Sequence, residues 1–238
     1  MTGPGPVDSS FDRFADDYER LLDDPLRRSF AGDSTFFIAQ KCRVLRRHLD
    51  RLLQPSERLR VLDAGCGPGT ALALLRGSCN MVGSDVSLGM LGHAVRHGPV
   101  VAQEPFDLPF RPDVFDAAFA FCVYHHIEAS ERLRHLSEMV RVLRPGGLLF
   151  VFEHNPLNPV TRIVFQRAEV DRGCHMIPRR HTSRMFQEAG LRDVRHGYLL
   201  FVPQMLERVL GAMERHLEWL PLGGQYYVCG RKARADAS

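Results

Sequence analysis

The stretch VLDAGCGPGT, Val61 to Thr70, constrains this chain more than any other part of it. An apolar run ends in an acid, Asp63, and passes directly into Gly65, Gly67 and Gly69. Glycine allows positive φ and lets a ligand approach the main chain closely. A strand that closes in such a loop before a helix is where a doubly wound sheet holds a nucleotide-like ligand, beyond its strand ends. A tight structural turn is the alternative use of the same residues.

The surroundings support an α/β fold. After Pro55, LRVLDAG, NMVGSD, PVVAQ, VFDAAFAFCV and GLLFVFE read as buried strands, and TALALLRG, GMLGHAVRHG and EASERLRHLSEMVRVLR lie between them as helices. That alternation predicts a parallel sheet with helices on both faces. The helix from about Ser130 presents Leu136, Val140 and Leu143 on one side, carries Glu128 and Glu131 near its start, and is expected to end at Arg144, Pro145 and Gly146. Further on, HTSRMFQEAG and QMLERVLGAMERHLEWL read as helices, while LRDVRHGYLLFV and GQYYVCGRK read as strands able to pair antiparallel.

Ahead of the sheet, SSFDRFADDYERLL places Phe11, Phe14, Tyr18 and Leu21 or Leu22 at helical spacing, with Ser9 or Ser10 as N-cap. A second helix is predicted in TFFIAQKCRVLRRHLDRLL, ending before Pro55. The expected organisation is a mobile tail at 1–9, a helical lid and substrate region at 10–55, and a ligand-binding core at 56–238.

The loop spacing argues against two ligand classes. A dinucleotide fingerprint needs G-x-G-x-x-G, and Thr70 stands where the third glycine belongs. A phosphate loop needs Gly-Lys-Ser/Thr, and the loop has no lysine. Asp85, in VGSDVS, follows the second strand at roughly the 20 residues past the loop where an acid accepts hydrogen bonds from ribose hydroxyls. Asp63 and Asp85 would flank a ligand that is comfortable beside two carboxylates, hence cationic rather than a pyrophosphate.

Composition narrows the class further. The 238 residues, 45% hydrophobic and 25% charged, suit one soluble globular domain. No apolar run approaches the roughly 18 residues of a membrane span, and MTGPGPVDSS lacks the basic and apolar parts of a secretory signal, so a cytoplasmic protein is expected. Cys42, Cys66, Cys79, Cys122, Cys174 and Cys229 form no C-x-x-C pair and no His/Cys grouping at zinc spacing; reduced thiols and no metal are expected. The net charge of +3 comes from scattered basic residues, nearly all arginine, which argues against a nucleic-acid partner and fits a GC-rich genome.

Taken together and in this order, VLDAGCGPGT, GSDVSLGML, FDLPF, FDAAFAFCVYHHI and VLRPGGLLFVFE resemble the class I S-adenosylmethionine-dependent methyltransferases, over about residues 11–232. The resemblance implies a doubly wound, Rossmann-like seven-stranded sheet with an antiparallel last strand, S-adenosylmethionine as cofactor, and a small-molecule methyl acceptor; it admits a homodimer. It places Gly65, Cys66 and Gly67 against the methionyl and ribose portions, with Asp63 orienting the loop, Asp85 and Val86 at the ribose, and Glu104, Pro105 and Phe106 at the adenine, where the family more often reads Asp-Ala-Glu. Phe121 joins the cofactor set. Phe11, Asp12, Ala15 and Tyr18 resemble the lid helix of the small-molecule branch, which would bring Tyr18 over the methionine end; an aromatic on an amphipathic face is the other reading of Tyr18. FEHNPLNP, 152–159, resembles a bacterial subgroup linked to glycan, glycolipid or secondary-metabolite pathways.

Methyl transfer is an in-line displacement whose thioether leaving group needs no proton. A base matters only where the acceptor is a hydroxyl. His125 and His126, past the fourth strand, and His154, past the fifth, are the candidate bases; Glu153 steadies a cationic imidazole or caps a strand. Arg179, Arg180 and His181 either meet an acidic substrate or solvate a helix start. Aminocarboxypropyl transfer on the same cofactor, and a non-catalytic subunit that has kept the fold, are the competing functions.

Overall fold

The computed structural model describes residues 11–52 and 59–234. The expected tail at 1–9, the Ser9 or Ser10 cap and the helix end beside Pro55 lie outside the described residues. The strands are β1 Arg60–Ala64, β2 Asn80–Asp85, β3 Val100–Ala102, β4 Phe115–Phe121, β5 Leu143–His154, β6 Arg192–Leu199 and β7 Gln225–Arg231. They form one seven-stranded sheet in the order β3-β2-β1-β4-β5-β7-β6. Strands β1 to β5 run parallel, and β7 is antiparallel to both β5 and β6. This is the Rossmann-like methyltransferase sheet that the motifs led us to expect.

The strand sequences account for the two-layered core. Side chains alternate across a strand, so odd and even positions feed opposite faces. Val61, Ala117, Phe119, Phe150, Phe152 and Tyr227 join one apolar cluster, with Leu45 and Leu49 of α3 (Thr35–Leu52) and Leu72 and Leu75 of α4 (Thr70–Leu75). Leu62, Ala64, Ala118, Ala120, Leu149, Val151, Tyr226 and Val228 join the other, against Leu136, Met139 and Val142 of α6 (Arg132–Val142). Phe119, Phe150 and Phe152 are fully buried, each stabilising the fold by about 1.5–3 kcal/mol.

Element boundaries depart from expectation in several places. The predicted single N-terminal helix is a 3₁₀ turn at Asp12–Phe14, a short α1 at Tyr18–Leu21, and an unanticipated α2 at Pro25–Phe30. Asp24 starts α2 by accepting from the backbone N–H groups of Leu26 and Arg27, with Pro25 at the first helical position. Helix α6 stops at Val142 rather than Arg144, because Leu143 already pairs with Phe115 as the first residue of β5. Its buried face is therefore Leu136, Met139 and Val142. Of the remaining helices, α5 (Leu88–Ala94) and α8 (Arg179–Glu188) overlap predicted segments but begin one and two residues ahead of them, α7 (Pro159–Arg167) was not foreseen, and the last predicted helix divides at Gly211 into α9 (Gln204–Leu210), a 3₁₀ turn and α10 (Glu214–Leu217).

The topology fixes where a ligand can sit. From β1 the chain builds outward through β2 and β3, then crosses to β4 on the other side. The crevice outside the carboxyl ends of β1 and β4 is the switch point at which open α/β sheets bind ligands.

Candidate active site

Three loops meet at that crevice. The first is the glycine loop after β1. Gly65, Gly67 and Gly69 have φ of 76°, 52° and 84°. At Gly65 a Cβ would stand 2.5 Å from Val123 Cγ2, so both conformation and space require glycine. Gly67 has nothing within 4 Å of the same position and leaves bare backbone along the cavity wall. Ser84 carbonyl oxygen accepts from the Gly65 and Cys66 N–H groups at 2.7 and 3.0 Å, pinning the loop to β2.

Asp85, at the end of β2, holds the loop from the other side. Its Oδ2 accepts from Gly67 N–H at 2.8 Å and its Oδ1 from Ser87 N–H at 2.9 Å. Burial raises its pKa, and these backbone donors oppose that. Asp63 is buried on the cavity wall, its pKa pushed well up by burial and by the charge of Asp85. The N-terminal segment clips onto the same region: Asp12 Oδ1 accepts from Ser87 Oγ at 2.6 Å and from Gly89 N–H at 2.9 Å. That clip brings Tyr18 to the cavity wall and sets Phe11 edge-on to His126, ring centroids 4.9 Å apart.

The third loop follows β4. Phe121 and Cys122 line the cavity, Cys122 with φ of 58°, and the chain then makes a 3₁₀ turn over Tyr124–His126. Glu153, wholly buried near the end of β5, accepts from Tyr124 N–H at 2.8 Å through Oε1 and faces His125 Nδ1 at 2.7 Å through Oε2. On the far side His125 Nε2 lies 3.2 Å from Asp171 Oδ1. Burial opposes a charge on His125, but the two carboxylates overcome it and hold the imidazole well above its ordinary pKa. The expected partnership of Glu153 with an imidazole is therefore present, and His125 has both nitrogens engaged.

His126 is arranged differently. Its Nε2 is 3.5 Å from Asp171 Oδ1 and its Nδ1 is 3.2 Å from Cys174 Sγ. Burial and the neighbouring His125 depress its pKa to about 4. His154 is half-buried on the cavity wall, and its ring and that of His125 both pack on Phe165 at 5.4 and 5.3 Å. Behind Cys122, Lys41 Nζ approaches its Sγ at 3.3 Å and Gln225 Nε2 at 3.4 Å. Burial pushes that thiol up, yet Lys41 and His154 outweigh it and bring the pKa down to about 7.

The cavity that joins these loops has a volume of about 520 Å³. Of the residues singled out in the sequence, it brings together Tyr18, Asp63, Gly65, Cys66, Gly67, Phe121, His125, His126 and His154. Asp85 and half-buried Val86 stand behind the loop rather than on the cavity wall. Glu104 and Pro105 are exposed, and Phe106 lies under the Arg134 guanidinium at 5.5 Å. None of the three lines the cavity, because β3 ends at Ala102 and the chain turns outward through the Glu104–Asp107 bridge. Arg179, at the start of α8, donates to Tyr198 Oη and is also away from the cavity.

Asp171, Lys41 and Gln225 were not foreseen. Asp171 sits in AEVDRG, which carries no recognised motif, and its 3₁₀ turn, Glu169–Asp171, packs it under two histidines. The expectation of no metal rested on spacing along the chain. Among the described residues, ligand atoms of His125, His154 and Asp171 lie within 4.8 Å of one another, although they come from three separate elements.

Comparison with known proteins places these features. A methyltransferase domain family matches residues 62–151. The tRNA (carboxymethyluridine(34)-5-O)-methyltransferase of Arabidopsis thaliana is 36% identical over 93 residues, 38% of this chain and 23% of that protein. The demethylmenaquinone methyltransferase of Mycolicibacterium vanbaalenii is 35% identical over 147 residues, 60% of this chain and 63% of that one. The chain thus spans less than two thirds of the length of these curated relatives. A solved S-adenosylmethionine-dependent methyltransferase of Thermotoga maritima superposes with a TM-score of 0.67 at 19% identity, covering 93% of this chain and 98% of that one, which is a likeness of fold.

Proposed function

We propose that this chain, whose residues 62–151 match a methyltransferase domain family, is a class I S-adenosylmethionine-dependent methyltransferase that moves the sulfonium methyl of that cofactor onto a hydroxyl of a small-molecule acceptor. The observation that carries the reading is a single cavity with the bare glycine loop at one side and the His125, His154 and Asp171 cluster at another. The relatives are named for acceptors as unlike as a tRNA nucleoside and demethylmenaquinone, so the acceptor is read from the cavity itself. Its walls include Phe30, Phe37, Ile38, Val164, Leu200 and Phe201. They suit a compact acceptor with an apolar body, of the kind found among glycolipid and secondary-metabolite precursors, rather than a folded nucleic acid.

In this reading the methionyl end of the cofactor lies across Gly65, Cys66 and Gly67 beneath Tyr18, with Asp63 and Phe121 beside it. Asp85, whose oxygens each accept one backbone N–H, from Gly67 and from Ser87, offers its remaining lone pairs to the ribose hydroxyls next to Val86. The acceptor oxygen attacks the methyl carbon as the carbon–sulfur bond breaks, and S-adenosylhomocysteine leaves as a neutral thioether. Alignment inside the cavity supplies much of the rate, since well-oriented reactants gain effective molarities worth about 7–11 kcal/mol. The hydroxyl proton departs toward the His126 and His154 side of the cluster, His125 being committed to its two carboxylates. A cytoplasmic setting accompanies this reading: all six cysteines are unpaired, as a reducing compartment keeps them, and among the described residues no helix is long and apolar enough to cross a membrane.

The test is incubation with isotopically labelled cofactor and a panel of hydroxyl-bearing metabolites, read by mass spectrometry. Labelled methyl on an acceptor oxygen with matching S-adenosylhomocysteine supports the proposal. Methylthioadenosine as the nucleoside product would establish aminocarboxypropyl transfer in its place.

A further inference from the structure

We propose that His125 Nε2, His154 and Asp171 form a binding site for a first-row divalent metal ion, with Glu153 as the outer carboxylate that orients His125. His125 Nε2 and Asp171 Oδ1 are 3.2 Å apart. Two ligands at bond lengths of about 2.0–2.2 Å and near-tetrahedral angles stand roughly 3.4 Å from each other. The ligand atom of His154 completes a group of three within 4.8 Å. The set is two imidazoles and one carboxylate, which suits zinc, iron(II) and their neighbours rather than magnesium or calcium.

The surroundings of His125 are those of a metal ligand. Metal-bound imidazoles almost always donate their second N–H to a carboxylate or carbonyl, which fixes the tautomer and aims the free lone pair at the ion. His125 Nδ1 meets Glu153 Oε2 at 2.7 Å, and Glu153 is itself fixed by the Tyr124 N–H. Charge points the same way. Glu153 and Asp171 are both more than nine-tenths buried, and among the described residues their ion-pair partners are histidines alone, with no arginine or lysine paired to either. An ion that displaces the proton from His125 Nε2 to solvent neutralises both carboxylates at once.

All three ligand residues border the cavity, so the remaining coordination position faces the acceptor. Resting on the reading of that cavity as the acceptor site, the group that completes the coordination is the acceptor hydroxyl, bound as its alkoxide or phenolate once its proton has passed to His126, since His154 is then a ligand. The metal lowers the pKa of the oxygen that then attacks the methyl carbon.

The experiment uses the full, untagged chain stripped with a chelator. Titration with Co²⁺ followed by visible absorption, and with Zn²⁺ by calorimetry, is expected to show one equivalent bound with proton release. The isosteric Asp171→Asn and the cavity-wall His154→Ala should each weaken binding by at least about 100-fold, and Glu153→Gln by the 10- to 100-fold usual for an outer carboxylate. His216→Ala, on an exposed turn of α10, should leave it unchanged. Calorimetry with S-adenosylmethionine on the same variants shows that they are folded. Absence of stoichiometric binding, or binding that survives both Asp171→Asn and His154→Ala, overturns the site. Neither result touches the methyl-transfer reading, which stands or falls on the labelled product.

Discussion

Asp85 accepts the backbone N–H of Gly67 at 2.8 Å, so the acid that ends the second strand holds the loop that ends the first. One carboxylate thereby shapes the bare main chain of the loop, and in the proposed reading the same group serves the ribose of the cofactor. Asp85→Ala should weaken S-adenosylmethionine binding by roughly 1–3 kcal/mol, the penalty for leaving a buried hydrogen-bonding partner unmet. Asp85→Asn, which keeps one acceptor oxygen, should lose less. Calorimetric titration checks both, and an unaltered affinity in the alanine variant would refute the placement of the ribose.

Gly65 and Gly67 separate two reasons for glycine. Gly65→Ala meets a left-handed φ and the Val123 side chain together and should cost about 1–3 kcal/mol of stability in urea unfolding. Adding Val123→Ala should recover only the contact portion, because φ remains 76°. Gly67→Ala has space around it, so its stability loss should stay near 1–2 kcal/mol. Its effect on cofactor affinity should be the larger one, since the new methyl projects into the cavity.

His125→Ala leaves Glu153 and Asp171 buried without the imidazole between them. Removing one partner of a buried charged pair costs about 3–5 kcal/mol. Thermal or urea unfolding should show that loss, and a change below about 1 kcal/mol would mean the bridge carries little of the local stability.

His126→Ala should leave S-adenosylmethionine affinity nearly intact while slowing turnover of a hydroxyl acceptor about 10²-fold or more. Steady-state kinetics and calorimetry on one preparation distinguish this from a folding defect. Turnover equal to that of the parent chain removes His126 from the proton path.

His135 gives a pH dependence with a definite sign. It is buried, its Nδ1 lies 3.1 Å from Tyr124 Oη, and burial lowers its pKa to about 4. The unfolded chain binds the proton near pH 6.5, so it holds more protons than the folded chain between pH 6.5 and 4. Stability from the neutral imidazole is therefore complete above pH 6.5 and lost as pH falls toward 4, by about 3 kcal/mol. Unfolding of the parent and of His135→Gln across this window should converge as pH falls; parallel curves would contradict the assignment.

Much of the fold was legible because its signals are local. Apolar runs set against helical periodicity revealed β1 to β5, and the glycines after Asp63 marked the switch point, since backbone freedom is written in residue type. The N-terminal segment was less legible. Its helical spacing is real, but Asp12 is committed to Ser87 and Gly89, and that tertiary contact breaks the expected helix into a 3₁₀ turn and α1. The stop expected at Arg144, before Pro145-Gly146, misled by two residues, because pairing of Leu143 with Phe115 claims the chain for β5 first.

The sequence alone determined the sheet, the acid-glycine loop and the positions of His125, His126 and His154 at strand ends, because propensity and alternation act over a few neighbouring residues. Only the tertiary structure decided which of those groups meet. Asp171 lies 46 residues beyond His125 in the chain and 3.2 Å from it in space, and Lys41 stands 81 residues before the Cys122 thiol that it approaches. Charge and hydrogen bonding act through distance in the folded protein, and separation along the chain carries no record of that distance.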